Sequence, residues 1–128
     1  MSTRGTAFFE IQNALNEEPS VLGCVQIYSD GYPSGFGQEM VKIFDDAYIG
    51  ELSESGKKIF KNIESIVLKI MSDYPSGYYD DEYIYRFTFK PYMVENPTYL
   101  ISDILAIKVE NRSNNFTGSF PEFKLFCD

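Results

Sequence analysis

A chain of 128 residues with 44% apolar and 16% aromatic content is long enough to form one domain over residues 1–128, burying roughly two-thirds of its unfolded surface without staples. Ten Tyr and eleven Phe stand against no His and no Trp, which excludes histidine triads, Cys-His dyads and His-ligated zinc. Nineteen acidic residues against 11 basic ones, a net charge of −8, argue against direct nucleic-acid binding and favour a basic partner.

Thr6 to Ile11 and Val21 to Tyr28 have the β-branched and aromatic content of strands, and the polar link Gln12 to Ser20 joins them as a hairpin. After a Gly- and Pro-rich corner, Phe36, Met40, Ile43, Phe44 and Ala47 recur at helical spacing, and a short linker, Tyr48 to Gly56, follows. The clearest helix is Lys57 to Ser72, where Ile59, Ile63, Ile66 and Ile70 mark the apolar stripe. Tyr83 to Phe89 alternates as a strand, Pro91 to Pro97 turns, and Tyr99 to Val109 supplies another strand. The tail reads as a short helix capped by Ser119 or as a terminal edge strand. The order β, β, α, α, β, β predicts an α+β fold: a mainly antiparallel sheet with two helices packed on one face.

The corner Ser29-Asp30-Gly31-Tyr32-Pro33-Ser34-Gly35-Phe36-Gly37 is the most specified stretch. Gly31 and Gly35 are suited to a positive φ, Pro33 restricts Tyr32 to extended backbone, and Ser34 can cap a helix starting at Gly35 or Phe36. Arg4, at the start of the first strand, meets the same sheet edge as Asp30. Arg4, Asp30, Gly31, Tyr32, Ser34, Gly35 and Gly37 therefore form a candidate ligand site, with Arg4 and helix-terminal N–H groups taking an anion. The simpler reading is an Arg4–Asp30 ion pair that pins the turn. The corner is echoed at Ser72-Asp73-Tyr74-Pro75-Ser76-Gly77, with one glycine fewer, which reads as shared turn chemistry and not as a duplicated unit.

Tyr78, Tyr79, Asp80, Asp81, Glu82 and Tyr83 combine tyrosines with the densest acidic run, the composition of a protein-binding face. Neither this run nor Asp45-Asp46 with Glu51 and Glu54 has calcium-loop spacing, so both read as solvated loops, and no metal or cofactor is expected. Cys24 and Cys127 lie far apart without ligand spacing, which suggests buried, reduced thiols. The N-terminal residues lack the apolar stretch of a signal peptide, and no run reaches the roughly 18 residues of a membrane span. A cytoplasmic protein without a membrane partner is expected.

The opening Ser2-Thr3-Arg4-Gly5, the segment Tyr28 to Gly37 and the closing Phe116-Thr117-Gly118-Ser119 with Glu122-Phe123 together resemble a group of short proteins encoded by bacteriophages and prophages. Where many of that group carry a histidine before Asp-Gly-Tyr-Pro, this chain has Tyr28-Ser29, so any chemistry of that histidine is missing here. The resemblance implies a non-enzymatic accessory protein. With the charge, it points to a counter-defence, anti-CRISPR-like inhibitor that binds a basic, nucleic-acid-handling protein in the host cytoplasm. Two alternatives stand beside it: a binder of a phosphate- or nucleotide-bearing ligand at Asp30–Gly37 and Arg4, and a metal-dependent hydrolase using the acidic clusters. A homo-oligomer is compatible with each.

Overall fold

The computed structural model describes residues 3–45, 48–49, 63–77, 82–94 and 99–128. Alternation sets its strands. In β1 (Gly5–Ile11) Ala7 and Phe9 are fully buried, and in β4 (Tyr83–Phe89) Tyr85, Phe87 and Phe89 are, while Phe8, Ile84 and Arg86 turn to the opposite face. With β2 (Ser20–Ile27), β6 (Leu105–Glu110) and β7 (Phe116–Ser119) they form one five-stranded sheet in the order β2-β1-β4-β6-β7.

The fold is α+β, but the sheet is mixed and not mainly antiparallel. β1 and β2 make the expected antiparallel hairpin, and β4, β6 and β7 form an antiparallel meander. These two units join through β1 and β4, which run parallel from Gly5 opposite Tyr83 to Ile11 opposite Phe89. Local turn chemistry determines each antiparallel unit, whereas the central pairing depends on which strand edges the helical layer brings together.

The expected ββααββ order is also incomplete. Among the described residues there are three helices, α1 (Gln38–Phe44), α2 (Ile63–Asp73) and α3 (Phe120–Phe126), and two short strands, β3 (Tyr48–Ile49) and β5 (Tyr99–Leu100), which pair with each other. The expected strand Tyr99–Val109 is broken by a 3₁₀ turn at Ile101–Asp103. Ile101 and Ile104 are both fully buried, and residues three apart point to opposite faces of a strand, so a helical turn is what directs both inward. The tail realises both of its expected forms in succession, β7 and then α3. Glu122 Oε1 accepts hydrogen bonds from the Ser119 N–H at 3.1 Å and from the Ser119 hydroxyl at 2.9 Å, which hold its carboxyl below the usual carboxylate range.

All three helices cover one face of the sheet. The Phe87 ring is the centre of that core, with ring centroids 5.3 Å from Phe9, 5.5 Å from Phe44 of α1, 5.8 Å from Phe123 of α3 and 6.1 Å from Tyr85. α2 lies over β2, where a Cβ on Gly23 would stand 2.4 Å from the Met71 sulfur. Phe36, Met40, Phe44, Ile63, Ile66 and Ile70 are buried as their spacing requires, while Ile59 and the rest of the Lys57–Asn62 stretch lie outside the described residues. Truncating Phe87 to Ala should cost about 3–5 kcal/mol by opening a cavity among four rings, a large share of a typical ~5–15 kcal/mol stability. Urea denaturation checks this, and an unaltered midpoint would contradict Phe87 as the core's centre.

Candidate functional site

At the end of β2 the chain turns through Tyr28–Tyr32 into a π-helical turn, Pro33–Gly37, which leads directly into α1. Tyr32 is extended (φ −73°, ψ 161°), as a residue before proline should be. The positive φ belongs to Asp30, at 57°, and not to Gly31 or Gly35 as their flexibility suggests. Aspartate tolerates the left-handed region, and the two glycines serve close approach instead. A Cβ on Gly35 would lie 2.4 Å from the Asp30 carbonyl oxygen, and one on Gly31 would lie 3.1 Å from both the Thr3 oxygen and the Arg4 carbonyl carbon. Ser34 is no cap, because the helical turn already begins at Pro33.

Four hydrogen bonds close this corner. The Gly31 N–H donates to the Thr3 carbonyl (3.0 Å), the Gly35 N–H to Tyr32 (2.9 Å) and the Phe36 N–H to Asp30 (2.8 Å). The fourth is buried: the Tyr85 hydroxyl donates to the Gly31 carbonyl at 2.6 Å. Burial pushes the Tyr85 hydroxyl well above the usual phenol range, so it stays protonated and remains a donor.

The second Tyr-Pro segment comes to the same place. Leaving α2, the Pro75 carbonyl accepts from the Gln26 N–H at 2.8 Å, Ser76 bridges to Val25, and the Gly77 N–H donates to the Cys24 carbonyl at 3.2 Å, so the segment lies along β2. Gly77 takes a φ of 141°, which a side chain would resist. The Tyr74 ring meets the Phe36 ring edge-on, with centroids 5.3 Å apart. Between the two corners is a cavity of about 210 Å³ lined by Ile27, Ser29, Asp30, Gly35, Phe36, Glu39 and Tyr74. Ile27 and Phe36 are buried and form its floor, Tyr74 is half-buried, and Ser29, Asp30 and Glu39 are exposed at its rim. Tyr28 and Tyr32 are exposed, and the Tyr32 hydroxyl donates to Asp30 Oδ1 at 3.0 Å, which raises its own pKa. Partial burial raises the Tyr74 hydroxyl, and the carboxylates of Glu39 and Asp73 raise it further.

Of the residues singled out at the corner, Asp30 and Gly35 line this cavity. Tyr32 acts on Asp30, and Ser34 is exposed outside the lining. Gly31 is buried against the first strand, and its contact with the backbone of Thr3 and Arg4 brings Arg4 to the corner. Gly37 is buried elsewhere, where a Cβ would lie 2.5 Å from the Cys127 sulfur, and its role is to let the C-terminal helix approach. Glu39, Tyr74 and Asp73 are additions to the predicted set, and the repeated Asp-Tyr-Pro-Ser-Gly chemistry is the sequence signal that marks two of them.

Tyr78, Tyr79, Asp80 and Asp81 lie outside the described residues. Glu82 is exposed, and Tyr83 is half-buried with its ring stacked on Tyr85 at 6.1 Å. Glu82 lines a larger concavity of about 1090 Å³ on the other face of the sheet, with Ile84, Lys108, Glu110, Asn111 and Arg112. Charges are balanced there: Lys108 lies 3.4 Å from Glu110, and Asn111 Nδ2 donates to the Glu82 carbonyl. Nearby, Arg86 sits over the Phe8 ring at 4.4 Å and lies 3.5 Å from Glu10. In the second acidic cluster, Asp45 pairs with Lys124 at 3.2 Å, and Asp46, Glu51 and Glu54 lie outside the described residues.

Among the described residues no three His, Cys, Asp or Glu side chains gather as a metal-ligand set. Cys127 is fully buried, and burial pushes its thiol up to about 12. Cys24 is only half-buried, with its thiol raised by desolvation and bonded to the Gly77 carbonyl at 2.8 Å. Both thiols are protonated at neutral pH, which leaves neither as an activated nucleophile. Among the described residues no helix is long and apolar enough to cross a membrane. No family model, curated protein or solved structure matches the chain.

Removing the Tyr85 hydroxyl with Tyr85→Phe should cost roughly 1–3 kcal/mol, since it leaves a buried carbonyl unpaired, and chemical denaturation measures it. A loss too small to detect would contradict a structural role for that bond. Alkaline pH supplies a second test. The Cys127 thiol ionises near 9 when unfolded but near 12 when folded, so between those values the unfolded chain has lost a proton that the folded chain keeps. Stability should therefore fall as pH rises from about 9 towards 12, and Cys127→Ala should flatten that slope.

Proposed function

We propose that this chain is a non-enzymatic accessory protein, of the phage-encoded kind it resembles, which inhibits a nucleic-acid-handling host protein by occupying its basic surface. The observation that carries this reading is the gathering of Tyr32 and Tyr74 with Asp30, Glu39 and Asp73 around the paired corners, on a chain of net charge −8. Tyrosine gives large contact area at low entropic cost, and the carboxylates supply attraction and orientation. In sequence, Tyr78, Tyr79, Asp80 and Asp81 extend the same composition directly beyond Gly77.

A phosphate-bearing ligand at Asp30–Gly37 is less well supported. The N–H groups of Gly31, Gly35 and Phe36 already donate within the fold, and Asp30 and Glu39 would repel an anion. The third reading, a metal-dependent hydrolase, relies on acidic residues that mostly lie outside the described ones.

Affinity capture from a nuclease-treated bacterial lysate tests the proposal. The wild-type chain should retain a basic nucleic-acid-binding protein at low salt and release it progressively towards ~0.15 M, where screening limits charge attraction to about 8 Å. The pair Glu39→Lys and Asp73→Lys, both at exposed positions, should fold normally and lose that capture. Equal capture by the wild type and the reversed variant would overturn the reading.

A further inference from the structure

Resting on that reading, we propose that the cavity between the two corners is a socket for one cationic side chain of the basic partner. Its volume, about 210 Å³, is below the roughly 300–1,000 Å³ of sites that hold a whole cofactor or drug-sized ligand, and suits a single side chain. Its lining combines two chemistries at different depths. Ile27 and Phe36 make a buried apolar floor and Tyr74 an aromatic wall, while the carboxylates of Asp30 and Glu39 stand at the exposed rim. Arginine and lysine have the matching construction, an apolar stem with a cationic head, and a guanidinium gains further from an aromatic face and from carboxylate acceptors.

No cation belongs to the described lining itself. Arg4 comes to the same corner through the contact of its backbone with Gly31, and Lys42 lies 3.4 Å from Glu39 in a pair whose side chains are 72% and 57% exposed. Exposed pairs of this kind are weak, so an incoming cation can displace Lys42. Asp30 is fixed in place by its backbone: its carbonyl accepts the Phe36 N–H at 2.8 Å, and its carboxylate accepts the Tyr32 hydroxyl at 3.0 Å. The Asp30 side of the socket is thus organised before a partner arrives, which lowers the entropic cost of binding.

A capped tetra-arginine peptide and its tetra-citrulline counterpart, equal in shape but uncharged, provide the test by NMR titration of the full chain. The arginine peptide should shift the resonances of Ile27, Gly35, Phe36 and Tyr74, and the citrulline peptide should bind about tenfold more weakly or worse. Asp30→Asn, which keeps a residue tolerant of positive φ, and Glu39→Gln, on the exposed helix surface, should each weaken arginine binding several-fold without lowering the melting temperature. Equal affinity for the two peptides, shifts confined to other surfaces, or unaltered binding by both variants would overturn the socket. If the socket fails while lysate capture remains salt-dependent and sensitive to Glu39→Lys with Asp73→Lys, the acidic binding face stands without it. If capture fails as well, the wider reading fails too.

Discussion

The buried hydrogen bond from the Tyr85 hydroxyl to the Gly31 carbonyl, at 2.6 Å, is the constraint on which the site depends. Tyr85 is fully buried on a central strand, and a hydroxyl removed from water must find an acceptor or cost several times what a satisfied bond contributes. That acceptor is a carbonyl in the loop beyond β2, so the corner is fixed to the middle of the sheet and not merely to its edge. The aromatic packing follows from it. Phe36 lies 5.0 Å from the Tyr85 ring on one side and 5.3 Å from the Tyr74 ring on the other, which transfers the position of the central strand to the second corner.

Asp30 shows what the corner gives up for this arrangement. Left-handed backbone at a non-glycine residue costs on the order of 1 kcal/mol, and glycine at that position would avoid the cost. A carboxylate is kept where a hydrogen would be easier, directed to the rim of a cavity whose floor is apolar. The glycines meanwhile occupy positions where space is short, with Gly35 against the Asp30 carbonyl and Gly37 against the Cys127 sulfur. Conformational freedom and free volume are separate demands here, and different residues meet them.

Much of the fold was legible in the sequence because it is local. Period-two alternation marks Tyr83–Phe89 without error, and Ser119 with Glu122 announces the final helix through a bond three residues long. The parallel β1–β4 pairing was not legible, since neither strand carries a local sign of which edge it will meet after more than seventy intervening residues. The break at Ile101–Asp103 was hidden within β-branched residues that suit a strand, and only the burial of both Ile101 and Ile104 explains it. For the site, the Asp-Gly-Tyr-Pro corner was evident as a specified turn, and its echo at Asp73-Tyr74-Pro75 was visible as composition. That the two copies face one another across a shared cavity is a tertiary fact, created by the pairing of Pro75–Gly77 along β2.

The central claim is that the paired corners, and not the charge-balanced concavity on the opposite face, form the binding surface. The most direct measurement is the set of intermolecular nuclear Overhauser contacts between the protons of a bound basic peptide and the protein's side chains. Contacts to Tyr74 and Phe36, alongside contacts between those two rings in the free protein, are what the account predicts. Contacts that fall instead on Ile84, Lys108 and Thr117, with none to Tyr74, would contradict it.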